Sequence, residues 1–416
     1  MSNSERVRRP SQSFHPSPPA PPRQRRRLLP VLSVVVVVVV VVALGVALLK
    51  SGLFSQPETG QAPVAASTAA ASPQPTDAPL QASAYVATFG DSLYGISMTS
   101  ASDGWAVGSD RGIPLILRYT GHRWERITNA IGGGFQAKDV TLTQVAMLSA
   151  TNGWAVGSYH DAANTLFGLI LRYNGSRWMP QMSLPRVNLN GLAMLSASDG
   201  WAVGGDDHQQ GVLLHYTGAT WQVIPLATMT LNQVVMTAPT DGWIVGQSED
   251  SGFGAWHYDG KTWTQVRIPG VDISHIAMTS ANDGWAVGFK RPAGAGNALI
   301  ADGSYGGDTV FAHYDGKTWT AMQTFTTPMN VKSLALDAPD DGWAFGSVAK
   351  AVIDSTTLYL HYTGGQWKQV TGPELNGYDL AVLLLSASDG WAVSDDGAIL
   401  RYQHNAWKMV VSPGTK

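Results

Sequence analysis

A tryptophan-marked unit recurs seven times along roughly the last four-fifths of this chain, and a repeat of that length leaves few folds open. One landmark is a short turn followed by Trp: Asp103-Gly104-Trp105, Asn152-Gly153-Trp154, Asp199-Gly200-Trp201, Asp241-Gly242-Trp243, Asp283-Gly284-Trp285, Asp341-Gly342-Trp343 and Asp389-Gly390-Trp391. These Trp lie 49, 47, 42, 42, 58 and 48 residues apart. The second landmark is Tyr, a short turn, then Trp: Tyr119/Trp124, Tyr173/Trp178, Tyr216/Trp221, Tyr258/Trp263, Tyr314/Trp319, Tyr362/Trp367 and Tyr402/Trp407. Fourteen of the 15 Trp are thus repeat positions, and Trp256 is the exception.

Each unit reads as four short strands. In the third, Leu192 to Leu195 precede the turn Ser196-Ala197-Ser198-Asp199-Gly200 and the strand from Trp201 to Gly204; a variable loop leads to Val212 through Tyr216, and Thr217-Gly218-Ala219-Thr220 turns into Trp221 through Ile224. Asp-Gly and Asn-Gly tolerate the positive φ of tight hairpins. Val212, Leu214 and Tyr216 share one face of their strand, opposite Leu213 and His215. Four-stranded units of this length match propeller blades, whose apolar faces stay wet unless neighbours cover them. The expected fold is all-β: a seven-bladed β-propeller of four-stranded blades, preceded by one transmembrane helix and a disordered linker. The fourteen repeat Trp are expected to pack between blades, each contributing at most about 4–6 kcal/mol by burial.

The first 84 residues divide into three. Residues 1–27, rich in Pro, Ser and Arg, read as a disordered basic cytoplasmic tail. The run from Leu28 to Leu49 carries no charge over 22 residues and includes an unbroken valine stretch from Val34 to Val42. As a helix it spans about 33 Å, enough for a bilayer core. Seven Arg precede it and only Lys50 closely follows, which orients the N-terminus to the cytoplasm. A cleaved signal peptide would have a shorter apolar region and a better small-x-small site than Ser51-Gly52-Leu53-Phe54-Ser55 offers. Residues 50–84, with Ala, Pro, Ser and Thr dominant, read as a linker lifting the propeller at 85–416 off a cell membrane, outside the cytoplasm.

Composition narrows the chemistry. With no Cys in the chain, disulfides, thiolate metal sites and cysteine nucleophiles are excluded. Residues 85–416 hold 19 basic and 27 acidic side chains, and that charge disfavours nucleic acid as a partner. No cofactor or metal is expected, and the chain is expected to be monomeric.

The turns in Tyr258-Asp259-Gly260-Lys261-Thr262-Trp263 and Tyr314-Asp315-Gly316-Lys317-Thr318-Trp319 resemble the Asp-box of BNR, sialidase-type propellers. Asp340-Asp341-Gly342-Trp343-Ala344-Phe345-Gly346 is similar to the Gly-Trp-Ala-Val-Gly strand of photosystem II assembly-factor-like propellers. The resemblance covers about residues 90–411 and implies fold and repeat class. It implies no activity, and the Asp is kept in two of the seven second turns.

Sialidase chemistry needs an arginine cluster, a Tyr nucleophile with Glu, and an acid–base Asp. The Phe-Arg-Ile-Pro signature is missing, and only Glu125, Glu249 and Glu374 lie within 85–416. Arg118, Arg172 and Arg401 share one repeat position with His215, His257, His313 and His361, so they are spread one per blade. No catalytic residue is assigned. The leading expectation is a binding or scaffold module for a protein or glycan partner; a sialidase-like glycoside hydrolase and an extracellular sensor domain are the alternatives. Strand order puts the short, uniform turns at one end of the ring and the variable second-to-third loops and blade connectors at the other. Binding groups concentrate on variable loops. The candidates on that face are Tyr159, His160, Asp206, Asp207, His208, Glu249, Asp250, Lys290, Arg291 and Tyr305.

Overall fold

Seven sheets, each folded from consecutive strands, account for nearly all of the described chain. The computed structural model describes residues 79–416, apart from 227, 249–251, 291–306, 328, 352–353, 378–379 and 415–416. The blades run over 91–128, 138–185, 187–223, 231–266, 271–325, 330–370 and 380–411, each an antiparallel meander of four strands. The first strands of adjacent blades contact one another all round, and the first strand of blade seven contacts that of blade one. The run from Leu28 to Leu49, with its tail and most of its linker, lies outside the described residues.

The core is divided among the gaps between blades. Among the described residues, seven buried clusters each join two neighbouring blades. In every gap the second-strand Trp of one blade meets the fourth-strand Trp of the next, close to edge-on. Trp105–Trp178 and Trp154–Trp221 have centroids 5.5 Å apart, and Trp201–Trp263 are 5.4 Å apart. Trp243–Trp319, Trp285–Trp367 and Trp343–Trp407 continue the series, which Trp391–Trp124 closes at 5.4 Å. All fourteen repeat Trp are accounted for in this way. Trp256, the one outside the pattern, is buried between blades three and four.

The two repeat turns are built differently. In the third-to-fourth turn, positive φ is real: Gly121, Gly175, Gly218, Gly260 and Gly316 all lie between +86° and +91°. In the first-to-second turn it is absent. The two residues Ala101 and Ser102 make that hairpin, and Gly104 and its equivalents sit on the second strand with ordinary φ. Space, not turn geometry, favours glycine there: a Cβ on Gly104, Gly153, Gly200, Gly242 or Gly284 would overlap the sulfur of Met98, Met147, Met194, Met236 or Met278, and on Gly104, Gly242 and Gly284 it would also press on the carbonyl of Ser97, Val235 or Ala277.

Each first strand also bulges beside that hairpin. In three blades the bulged residue is Thr99, Thr237 or Thr279, whose hydroxyl donates to Asp103, Asp241 or Asp283. In blade six it is Asp337, set against Asp341. Burial, then the Asp341 charge, push its carboxyl up to about 6. Between about pH 4, where a free Asp titrates, and pH 6, the folded chain keeps a proton that the unfolded chain has lost. Stability therefore falls as pH rises through this window. Asp337→Thr is expected to raise the melting temperature at pH 7 and to flatten its slope between pH 4 and 6. Because the site is only half-buried, screening by solvent limits the gain to about 1 kcal/mol or less. A melting temperature at or below the parent's at pH 7 contradicts this.

Candidate functional site

Second-to-third loops and blade connectors crowd one end of the ring, as the strand order requires. Tyr159 and His160 end the second strand of blade two. Tyr159 stacks on Phe167, meets Phe135 edge-on, and donates its hydroxyl to Ser183 at 3.3 Å. It serves to anchor the connector from blade one. His160 pairs with Leu166 across the strand. Asp206 is a turn builder: its Oδ1 accepts from the backbone N–H of His208 and Gln210 at 2.9 and 2.8 Å. Asp207 faces outward, 3.4 Å from Arg186 and 3.5 Å from His208. Arg186 is the single residue between blades two and three, so this trio bridges them. Glu249, Asp250, Arg291 and Tyr305 lie outside the described residues.

Lys290 is exposed at the end of its strand and pairs with Val271. Val271 lines a cleft of about 470 Å³ together with Phe253, Arg267, Pro269, Gly270 and Asp272. The cleft lies between blades four and five, at the root of the longest loop, which joins Lys290 to Asp308. Of the ten candidates, the structure thus places one beside a cavity and two in the bridging trio; of two more, Tyr159 holds a blade connector and Asp206 builds its own turn.

On the opposite, uniform face a second pattern recurs. The third-strand residue paired with each second-strand Trp also covers its ring. His215, His257 and His361 stack on Trp201, Trp243 and Trp343, and His313 tilts over Trp285. Arg118, Arg172 and Arg401 lie over Trp105, Trp154 and Trp391 at 5.3, 5.2 and 4.7 Å. In six blades this residue also reaches the Asp that opens the second strand. The imidazole Nε2 atoms of His215, His257, His313 and His361 lie 2.9, 2.8, 2.8 and 2.6 Å from Asp199, Asp241, Asp283 and Asp341. Arg118 donates to Asp103 at 3.1 Å and Arg401 to Asp389 at 3.2 Å. These groups are scaffold, one per blade, and do not converge.

Ring closure uses residues that the repeat pattern hides. Gln81–Ala84 form a fifth strand on blade one, paired with Trp124–Thr128. Tyr85 follows, buried in the seam, and donates to Gly397 O at 3.2 Å. Burial, and then Asp91, raise its phenol well above the ordinary value. Asp91, fully buried, accepts from Thr88 N at 2.7 Å and lies 3.6 Å from Arg126, which donates to Asp110 at 2.6 Å. Burial opposes ionisation of Asp110, but hydrogen bonds from Arg126 and Arg111 outweigh it and hold the carboxyl below its usual range. Register puts Val187 and Val271 where Asp91 stands; a charge in that column was the available signal.

No protein-family model and no curated protein matches the sequence. Solved structures do match in fold. A YCF48 structure bound to D1 peptide aligns with TM-score 0.51 and 16% identity, covering 80% of this chain and 99% of that one. A GH74 xyloglucanase from Xanthomonas campestris aligns with TM-score 0.56 and 14% identity, covering 80% of this chain and 56% of the enzyme. The BP39L lectin from Burkholderia pseudomallei aligns with TM-score 0.52 and 12% identity, over 78% of this chain and all of the lectin (100%). At such identities the likeness is one of fold.

Proposed function

We propose that this chain is a membrane-tethered, extracytoplasmic binding or scaffold module that takes a protein segment or a glycan on its variable face. The observation that carries the reading is the cleft between blades four and five, next to Lys290 and the longest loop. Its roughly 470 Å³ lies within the range of about 300–1,000 Å³ usual for ligand sites. The apolar run from Leu28 to Leu49 and the arginines before it support the tether. Propellers of the same fold include one solved with a peptide and one lectin, which makes binding a natural use of the architecture. The spread of Arg118, Arg172 and Arg401 over three blades, and the exposed setting of Glu374, favour binding over hydrolysis.

Deleting residues 291–306 is expected to abolish partner capture by the full chain while leaving its circular dichroism unchanged. Capture at the parent level with intact folding would refute the cleft as the site. Because the chain has no Cys, a thiol introduced as Lys261→Cys reports topology in the same cells. Labelling by a membrane-impermeant maleimide is expected, and labelling only after lysis would reverse the orientation.

A further inference from the structure

Asparagine followed by glycine is prone to lose its side-chain amide, because no side chain on the glycine keeps its backbone nitrogen from the asparagine carboxamide. The chain holds four such pairs, and the fold treats them differently. Asn152-Gly153 opens a strand: the Asn152 Oδ1 is buried, and Gly153 is paired on both sides, with Met147 and Tyr173. Asn190-Gly191 lies within the first strand of blade three, where the Asn190 amide donates to Leu231 O at 2.8 Å and Gly191 is buried opposite Val203. In Asn376-Gly377 the glycine N–H, whose nitrogen is the nucleophile, donates to Asp396 Oδ2 at 3.0 Å. Of the four, only Asn174-Gly175 has its asparagine exposed on a turn between strands and a glycine N–H that makes no hydrogen bond among the described residues. We propose that Asn174 is a site of spontaneous deamidation, promoted by its own turn.

The Asn174 Oδ1 accepts three hydrogen bonds, from Ser176 N–H at 3.0 Å, the Ser176 hydroxyl at 2.8 Å and Arg177 N–H at 2.9 Å. When the Gly175 nitrogen, its proton lost to solvent base, bonds to Cγ, negative charge builds on that oxygen. Donors already in place stabilise it. The Cγ–Nδ2 bond then breaks and ammonia leaves, giving a cyclic imide. Water opens the imide at one of its two carbonyls: at Cγ to give aspartate, at the backbone carbon to give isoaspartate. The net change is amide plus water to carboxylate plus ammonium. The aspartate product fits a turn that blades four and five already carry. Asp259 Oδ1 accepts from the N–H of Lys261 and Thr262 at 2.9 and 2.8 Å, and Asp315 Oδ1 from Lys317 and Thr318 at the same distances. Those backbone hydrogen bonds hold both carboxyls below their usual range. The isoaspartate product lengthens the backbone by a methylene and disrupts the bond from Asn174 N–H to Arg177 O.

The test incubates the full chain in detergent at mildly alkaline pH and follows its peptides by mass spectrometry. Asn174 is expected to convert at least about tenfold faster than the other three asparagines, because each of those reacts only after a local opening. In denaturant all four are expected to convert at like rates. Ser176→Ala removes one donor and is expected to slow conversion in the folded chain about threefold. N174D, the reference for the aspartate product, is expected to melt with the parent. No conversion at Asn174, or conversion of another pair at an equal rate in the folded chain, overturns the proposal. Conversion of S176A at or above the parent's rate overturns the role given to the turn.

Discussion

Trp391→Ala is expected to lower stability by about 3–5 kcal/mol and to loosen the ring at one seam. Six of the seven gaps are bridged by a chain connector, whereas the gap between blades seven and one is crossed by non-covalent contacts alone. Trp391 is the centre of that gap. It is 1% exposed, packs edge-on to Trp124 at 5.4 Å and to Tyr119 at 4.8 Å, and lies under Arg401 at 4.7 Å. Arg401 in turn donates to the Tyr119 hydroxyl at 3.1 Å, so removing the indole also takes the packing from under a guanidinium that spans the seam and stays paired with Asp389. Trp201→Ala removes the same group from a gap that residues 224–230 still tether. Denaturant titration should show comparable losses for the two variants. Amide exchange should separate them: W391A should open Asp91–Ser100 and Leu380–Ser386 ahead of the rest, and W201A should not. A loss under about 1 kcal/mol for W391A would mean that the Tyr85, Asp91 and Arg126 cluster holds the seam without it.

The repeat was legible because it is written in large residues at fixed offsets. Fourteen Trp and seven Tyr mark the gaps, and each gap needs the same pair, so the blades can be counted from the residues alone. Turn chemistry was half legible. The glycines of the third-to-fourth turns do take positive φ, but Gly104 and its equivalents are small for a reason that lies across the sheet, in the thioether of a first-strand Met. No local pattern reveals a clash between residues on different strands.

Sites were less legible than the frame, because they are departures from the repeat. Asp91 in a valine column and Asn152 in an aspartate column were both visible as letters. Their meaning depends on what surrounds them: Arg126 and Tyr85 for the first, and for the second an Arg172 that lies over Trp154 with no acidic partner among the described residues. Loop residues such as Asp206 looked free in the sequence and proved committed to their own turn.

Gly204→Ala and Ser394→Ala, at the same repeat position in blades three and seven, are expected to change stability in opposite directions. In six blades this position is glycine, and the first strand beside it carries an extra residue, such as Asn190 between Leu189 and Gly191. The bulge drives a backbone carbonyl toward the second strand. A Cβ on Gly204 would fall on Asn188 O, one on Gly108 on Ser92 O, and one on Gly346 on Asn330 O. Backbone in a sheet cannot swing aside as a side chain can, so G204A is expected to cost about 3 kcal/mol. Blade seven lacks the bulge: Leu380 and Ala381 pair with Ser394 and Val393 without a register shift, and the position there tolerates a Cβ. The Ser394 hydroxyl is fully buried and has no partner among the described residues. Removing it relieves a desolvated polar group, so S394A is expected to be neutral or to gain up to about 1 kcal/mol. Chemical denaturation of both variants decides the matter. Equal losses would show that the bulge does not dictate glycine, and that the six-to-one split between the blades has another origin.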